Sequence, residues 1–255
     1  MNKDKIRIVN ADYWKTFGEQ LIQFLELPPN IKVLDVGTGG GACLIPAAKK
    51  ILPNGEIIGI DKLEDAIQRA KTNIEAVGIK NARIIKMDGS QMKFANNTFD
   101  VVISGFIGFC GIFDFDKFEL RPGTENSIIK EIYRVLKPGG KAAFSTWRVQ
   151  EDLGIIKKIV EDDSVHPGYS KENEKGFKML MEDAGFQNKH ITIHTLEYHR
   201  FYNSIEDWAT QNNWLIKGFA LKPPPSYEQL FKPFFSEITG KYDFKKCVIF
   251  AIGKK

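Results

Sequence analysis

Short apolar runs of strand length alternate, along the first 147 residues, with stretches whose apolar side chains recur every three or four positions. In residues 10 to 27 Trp14, Phe17, Leu21, Phe24 and Leu25 share one helical face, and the stretch stops at Pro28-Pro29, where proline lacks the N–H a helix needs. Further helical patterns cover 42 to 52, 63 to 77, 124 to 136 and 173 to 184. Between them lie Val33-Leu34-Asp35-Val36, Ile57-Ile58-Gly59-Ile60-Asp61, Ala82 to Lys86 and Phe99 to Phe106, with a fifth strand expected after the turn at Lys137-Pro138-Gly139-Gly140. Runs this apolar suit strands covered on both faces, and their alternation with helices predicts a doubly wound α/β sheet.

Beyond Trp147 the segments 189 to 198 and 246 to 252 read as two more strands. The stretch between them, 200 to 245, is rich in aromatics: Phe201, Tyr202, Trp208, Trp214, Phe219, Tyr227, Phe231, Phe234 and Phe235. It is too long for a structureless loop, so helices are expected there, with Ser204 and Ser226 as N-caps and Pro223-Pro224-Pro225 dividing them. One domain over 1–255 is expected, with an N-terminal helical cap at 1–29 and a helical lid at 200–245.

Chemistry concentrates where the strands end. After Val36 come Gly37-Thr38-Gly39-Gly40-Gly41-Ala42, and glycines at a strand-to-helix turn let backbone N–H groups approach a nucleotide-like ligand. Turns alone also demand glycine, so this run decides nothing by itself. Asp61 closes the second strand 24 positions after Gly37, near the ~20-residue offset of a carboxylate that holds ribose hydroxyls. Asp88 closes the third, and a short carboxylate there can accept a hydrogen bond from an exocyclic amino group. Singly, each acid could be a turn or capping residue. Three in succession point to one ligand.

The ordered motifs VLDVGTGGG (33 to 41), IIGID (57 to 61), IIKMDGSQMKF (84 to 94), FDVVISGF (99 to 106) and RVLKPGGK (134 to 141) resemble the class I S-adenosylmethionine (SAM)-dependent methyltransferases. The likeness is to the small-molecule group that includes the ubiquinone and menaquinone biosynthesis methyltransferases, and it covers roughly residues 30 to 147. It implies a Rossmann-like, seven-stranded sheet of order 3-2-1-4-5-7-6 with the last strand antiparallel and a helical insertion between strands 6 and 7. It implies that Asp35, Gly37, Thr38, Gly39 and Gly41 surround the methionine part of SAM, that Asp61 holds the ribose, that Asp88 with Gly89 meets adenine, and that the Ser104 carbonyl lies near the cofactor's amino group. Tyr13, Lys62 and Ser90 join them as cofactor-side candidates. The methyl acceptor is expected to be a small, partly apolar or aromatic metabolite, with Trp14, Phe106, Phe109 and Trp147 lining its pocket and S-adenosylhomocysteine as the co-product.

Two other readings remain open. Gly37 to Ala42 also fits the G-x-G-x-x-A fingerprint of an NAD-dependent oxidoreductase, with Asp61 on the ribose. Charge separates the two: three acids around a pyrophosphate repel it, whereas a sulfonium and an ammonium welcome them. A catalytically silent SAM-binding partner or sensor protein would keep the same motifs. Among the histidines, His166 in Ser164-Val165-His166-Pro167-Gly168-Tyr169 is the weak candidate for a general base, and His190 and His194 fall on a predicted strand. No catalytic residue is assigned. Asp114, Asp116 and Glu119 are read as solvated loop acids, and no metal is expected.

Composition sets the remaining bounds. A chain of 255 residues with 43% hydrophobic content can bury a full α/β core. Net charge is +4, but Lys and Arg are interleaved with acids, as in Glu64 to Lys71, which argues against nucleic acid as partner. Cys43, Cys110 and Cys247 are scattered with no C-x-x-C pair, the pattern of small apolar residues. With no 18-residue apolar run and no charged leader before an apolar segment, a cytoplasmic enzyme without membrane insertion is expected. Oligomeric state is open.

Overall fold

The computed structural model describes residues 7–9, 12–109, 111–114, 116–123, 127–152, 154–155, 172–212 and 228–255. Two compact units divide the chain. The larger comprises Trp14–Thr146, Glu172–Thr195 and Ile249–Lys255; the smaller comprises Met1–Tyr13, Trp147–Lys171 and Leu196–Val248.

In chain order the elements are α1 (Tyr13–Leu25), β1 (Lys32–Val36), α2 (Leu44–Lys50), β2 (Glu56–Asp61), α3 (Glu64–Ala76), β3 (Ala82–Lys86), β4 (Phe99–Gly105), β5 (Phe113–Asp114), β6 (Glu119–Leu120), α4 (Ile128–Val135) and β7 (Leu136–Gln150). There follow α5 (Glu174–Asp183), β8 (Ile191–Tyr202), α6 (Ile205–Gln211), α7 (Glu228–Phe231), β9 (Phe235–Ser236) and β10 (Lys241–Lys254). The sheet runs β3-β2-β1-β4-β7-β10-β8, with β9 against β10 and β5-β6 forming a separate ribbon. Counted over the seven long strands, this is the expected order 3-2-1-4-5-7-6. Strands β1 to β4 and β7 pair in parallel.

In the larger unit Leu34, Val36, Ile58, Ile60, Val102 and Phe144 of the strands pack with Ile129, Ile132 and Val135 of α4 and Phe177, Leu180 and Met181 of α5. Helix α1 buries Phe17, Leu21, Ile22 and Leu25, each worth about 1.5–3 kcal/mol. A Cβ on Gly18 would fall 2.1 Å from the Ala42 carbonyl oxygen. Glycine at that position therefore lets α1 lie directly on the turn that leads into α2.

Three boundaries differ from expectation. Helix α4 runs straight into β7: Leu136 pairs with Phe99 and Lys141 with Val101, so the predicted turn at 137–140 survives as an irregularity inside a strand. Helix α5 starts at Glu174 because the Asn173 side chain accepts from the Gly176 N–H at 2.9 Å. Strands β8 and β10 extend to Tyr202 and back to Lys241, which shortens the segment between them from 200–245 to 203–240. Ser204 caps α6 as expected, accepting from the Asp207 N–H at 3.1 Å, whereas Trp214, Phe219, Pro223 to Pro225, Ser226 and Tyr227 lie outside the described residues. Aromatics of this segment build a core of their own, in which Tyr202, Trp208, Phe231 and Phe244 are buried together with Ile155 and Ile205. Among the described residues no helix is long and apolar enough to cross a membrane.

Candidate active site

Strand β1 delivers the chain into the turn Gly37 to Gly41. Main-chain bonds anchor that turn on β2, since the Gly37 and Thr38 N–H groups both donate to the Ile60 carbonyl, at 2.9 and 3.0 Å. Gly37 and Gly39 have φ of 72° and 54°, a region in which side chains are strained. Their surroundings differ. A Cβ on Gly37 would stand 2.4 Å from Ile107 Cγ2, so glycine there makes room for a packed side chain; a Cβ on Gly39 would meet only the Gly37 oxygen, at 4.0 Å. Gly39 thus offers its backbone to open space. From α3, Asn73 Nδ2 donates to the Gly40 carbonyl at 2.8 Å and fixes the far side of the turn.

Carboxylates stand at or just beyond the ends of three neighbouring strands, Asp35 in β1, Asp61 at the end of β2 and Asp88 two residues past β3. Asp35 is buried, accepts from Thr38 Oγ1 at 2.8 Å, and has its pKa pushed up to about 7, chiefly by loss of water, with the Thr38 bond opposing and Asp61 adding. Asp61 accepts from the Gly39 N–H on Oδ2 and from the Leu63 N–H on Oδ1, both at 3.0 Å. A carboxylate has about four acceptor sites, so each Asp61 oxygen retains capacity for another donor. Exposed Asp88 takes the Ser90 N–H at 2.8 Å and the Ser90 hydroxyl at 2.7 Å on Oδ1. Those bonds, with the Lys62 charge, hold its carboxyl below the usual range.

At the end of β4, buried Ser104 donates its hydroxyl to the Val36 carbonyl at 3.1 Å. Phe106 then adopts φ 56°, a strained state for a residue with a side chain, which packing must hold. Trp14 and Phe17 supply that packing, with ring centroids 5.1 and 5.5 Å from Phe106. Buried Glu172 ties the next turns together, accepting from the Phe109 N–H at 2.7 Å and bonding the Thr146 hydroxyl with its other oxygen.

A family model described as a methyltransferase domain matches residues 27–214. The chain belongs to this methyltransferase-domain family. A demethylmenaquinone methyltransferase of Bacillus cytotoxicus is 28% identical over 134 residues, 52% of each chain, so this methyltransferase-family chain spans about half the length of the curated relatives it matches. A Bacillus halodurans structure described as a candidate methyltransferase superposes with a TM-score of 0.62 at 23% identity, covering 94% of this chain and 99% of its own. A Haemonchus contortus phosphoethanolamine N-methyltransferase 2 in complex with SAM gives 0.56 at 18%, covering 99% and 54%. At these identities the structural likeness is one of fold.

Within the methyltransferase domain, the hydrogen bond from Gly39 to Asp61 and the influence of Asp61 on Asp35 join the first two carboxylates to the glycine turn. Gly89 has a packing reason for its small size: a Cβ would approach Ile128 Cδ1 to 2.6 Å and Val36 Cγ1 to 2.8 Å. Phe109 is fully buried, edge-on to Phe144 and Phe177, and serves the core. Trp14 is 43% exposed, its ring edge on Phe106. Tyr13 and Trp147 fall in the smaller unit, where their rings meet at 5.9 Å. His166 lies outside the described residues. His190 ends a short turn before β8, His194 stacks on Phe24 at 4.1 Å, and His199 bonds Asp243 at 2.9 Å. Asp114 spends an oxygen on the Asp116 and Lys117 N–H groups, as a turn residue does.

Residues with structural duties at the site were not singled out in the sequence. Asn73, Ile107 and Glu172 are remote from the motifs they serve. Arg134 lies inside one: it donates to the Met92 and Phe94 carbonyls at 2.9 and 2.8 Å and pairs with Glu131 at 2.6 Å. Glu131 in turn accepts the Met92 N–H at 2.9 Å. The i, i+3 spacing of Glu131 and Arg134 on a helix was the available signal.

Proposed function

We propose that this chain is a SAM-dependent methyltransferase that transfers a methyl group to a small, partly apolar or aromatic metabolite. The observation that carries the reading is Asp61, bonded to the glycine turn through Gly39 while keeping acceptor capacity on both oxygens. SAM fits this donor and acceptor set, since its ribose hydroxyls and adenine amino group donate, its sulfonium and ammonium are cationic, and the open backbone at Gly39 leaves it room. A dinucleotide pyrophosphate would face Asp35 and Asp61 instead.

When bound, SAM supplies an electrophilic methyl on its sulfonium. The chain's own work is alignment. Asp61 would hold the ribose hydroxyls, and Asp88, whose Oδ2 has no hydrogen-bond partner among the described residues, would take the adenine amino group. Trp14 and the strained Phe106 present aromatic surface that orients a planar acceptor and excludes water. Holding a nucleophile about 3–3.5 Å from the methyl carbon supplies much of the acceleration, and a general base is needed only if the acceptor keeps its proton at neutral pH. Relatives named for demethylmenaquinone support a ring-bearing acceptor.

Calorimetry with SAM, S-adenosylhomocysteine and NADH tests the cofactor, and release of S-adenosylhomocysteine across a metabolite panel tests the transfer. SAM binding with turnover is expected. Tight SAM binding without turnover on any acceptor would favour the silent binder, and NADH binding in its place would restore the oxidoreductase.

A further inference from the structure

The smaller unit encloses two cations that are satisfied very differently. Lys246, 1% exposed, places Nζ 2.8 Å from both oxygens of Asp152 and about equally far from the Tyr13 and Trp147 rings, at 5.1 and 5.4 Å. That pair is closed. Arg200, 3% exposed, lies with its guanidinium 5.1 Å from the Tyr13 ring and 4.9 Å from the Tyr202 ring. It donates from Nη2 to Gln211 Oε1 at 2.7 Å and also bonds the Tyr13 hydroxyl, while its buried Nε has no hydrogen-bond partner among the described residues.

Both acceptors are neutral, and among the described residues no carboxylate makes an ion pair with Arg200. Asp152 is engaged by Lys246, and Asp207, which feels the Arg200 charge, has its oxygens on Asn203 and Gln211. A buried cation whose hydrogen bonds go only to neutral groups is costly, and a guanidinium fork matches a carboxylate or phosphate. Tyr13 and Tyr202 hold that fork in place. Access is visible too: Gln211, which caps the guanidinium, is itself exposed, so displacing one amide opens the cation to an incoming anion.

We propose that Arg200 anchors a binding site for a small organic anion, whose carboxylate or phosphate takes the place of Gln211 on the guanidinium beside Tyr13. The site is tested without SAM. Calorimetry on the full chain with benzoate, its neutral counterpart benzamide and inorganic phosphate reads it directly. Benzoate or phosphate binds and benzamide does not, the affinity falls as salt is added, and Arg200→Gln weakens it at least ~tenfold. Tighter benzoate identifies a carboxylate ligand; tighter phosphate identifies a phosphate. A second variant guards against misfolding, because exposed Gln211→Glu sets a carboxylate on the guanidinium and is expected to abolish anion binding while the chain stays folded. Failure of both anions to bind the unmodified chain, or unchanged binding in Gln211→Glu, overturns the proposal.

Discussion

Asp35 is a carboxylate sealed from water beside a second carboxylate, and its protonation is therefore tied both to folding and to any cation that comes near. Its folded-state pKa of about 7 lies above the ordinary aspartate value of 3.8, so between those values the folded chain holds a proton that the unfolded chain has released. Stability contributed at this site consequently falls as pH rises through that window and levels off above it. A cationic ligand favours the ionised form. SAM affinity measured by calorimetry should rise as pH passes through about 7, and Asp35→Asn should flatten that rise; a flat profile in the unmodified chain would show that Asp35 does not feel the ligand. At Asp61 the expectation concerns strength. Asp61→Ala removes the acceptor for Gly39 and Leu63 together with the acceptor proposed for the ribose, and SAM should bind about 1.5–3 kcal/mol more weakly. Unchanged affinity in a folded variant removes Asp61 from the cofactor.

The glycine turn shows what spacing can and cannot reveal about an element. Its position after β1 was legible, because an apolar run of strand length that meets glycines must turn there, whatever the turn is for. The division of labour inside it was not, since the side chain that presses on Gly37 belongs to Ile107, 70 positions away. Gly37→Ala should accordingly harm the fold, by about 1–3 kcal/mol for overpacking alone, and a urea titration reads that loss. Gly39→Val meets open space and should harm ligand binding far more than its backbone strain of about 1–2 kcal/mol harms stability. Equal losses of stability in the two variants would contradict the distinction. The turn after β4 allows a parallel test: Phe106→Ala removes ring contacts worth ~0.5–1.5 kcal/mol from Trp14 and Phe17, and should lower turnover while SAM affinity stays within about 1 kcal/mol. Lost SAM binding with normal acceptor handling would assign the ring to the cofactor side.

Over the whole molecule, legibility follows burial chemistry. The strands of the larger unit were readable as short apolar runs between helical patterns, acids marking the ends of the first three, whereas their order came only with the resemblance carried by the ordered motifs. Little local distinguishes Arg200 and Lys246 from surface cations: Tyr202 shares a strand face with Arg200 two positions on, but Asp152 and Tyr13 reach these cations only through the fold. The stability of the smaller unit depends on that hidden chemistry, and a charge pair tests it. A folded chain is typically stable by about 5–15 kcal/mol, and a buried ammonium stripped of its partner costs about 3–5 kcal/mol of that. Asp152→Ala should therefore lower the urea midpoint steeply, whereas Asp152→Leu combined with Lys246→Met removes both charges and should cost much less. Burial already depresses the Lys246 pKa, with Asp152 opposing, and losing Asp152 depresses it further. A lysine whose folded-state pKa lies below its unfolded value gains stability as pH climbs from the first toward the second. The single variant should thus recover part of its loss at about pH 9.5 compared with pH 7, and the double variant should show no such recovery. Equal losses in the two, with the same pH response, would mean that the ion pair is incidental and that the aromatic core around Trp208 and Phe244 holds the unit alone.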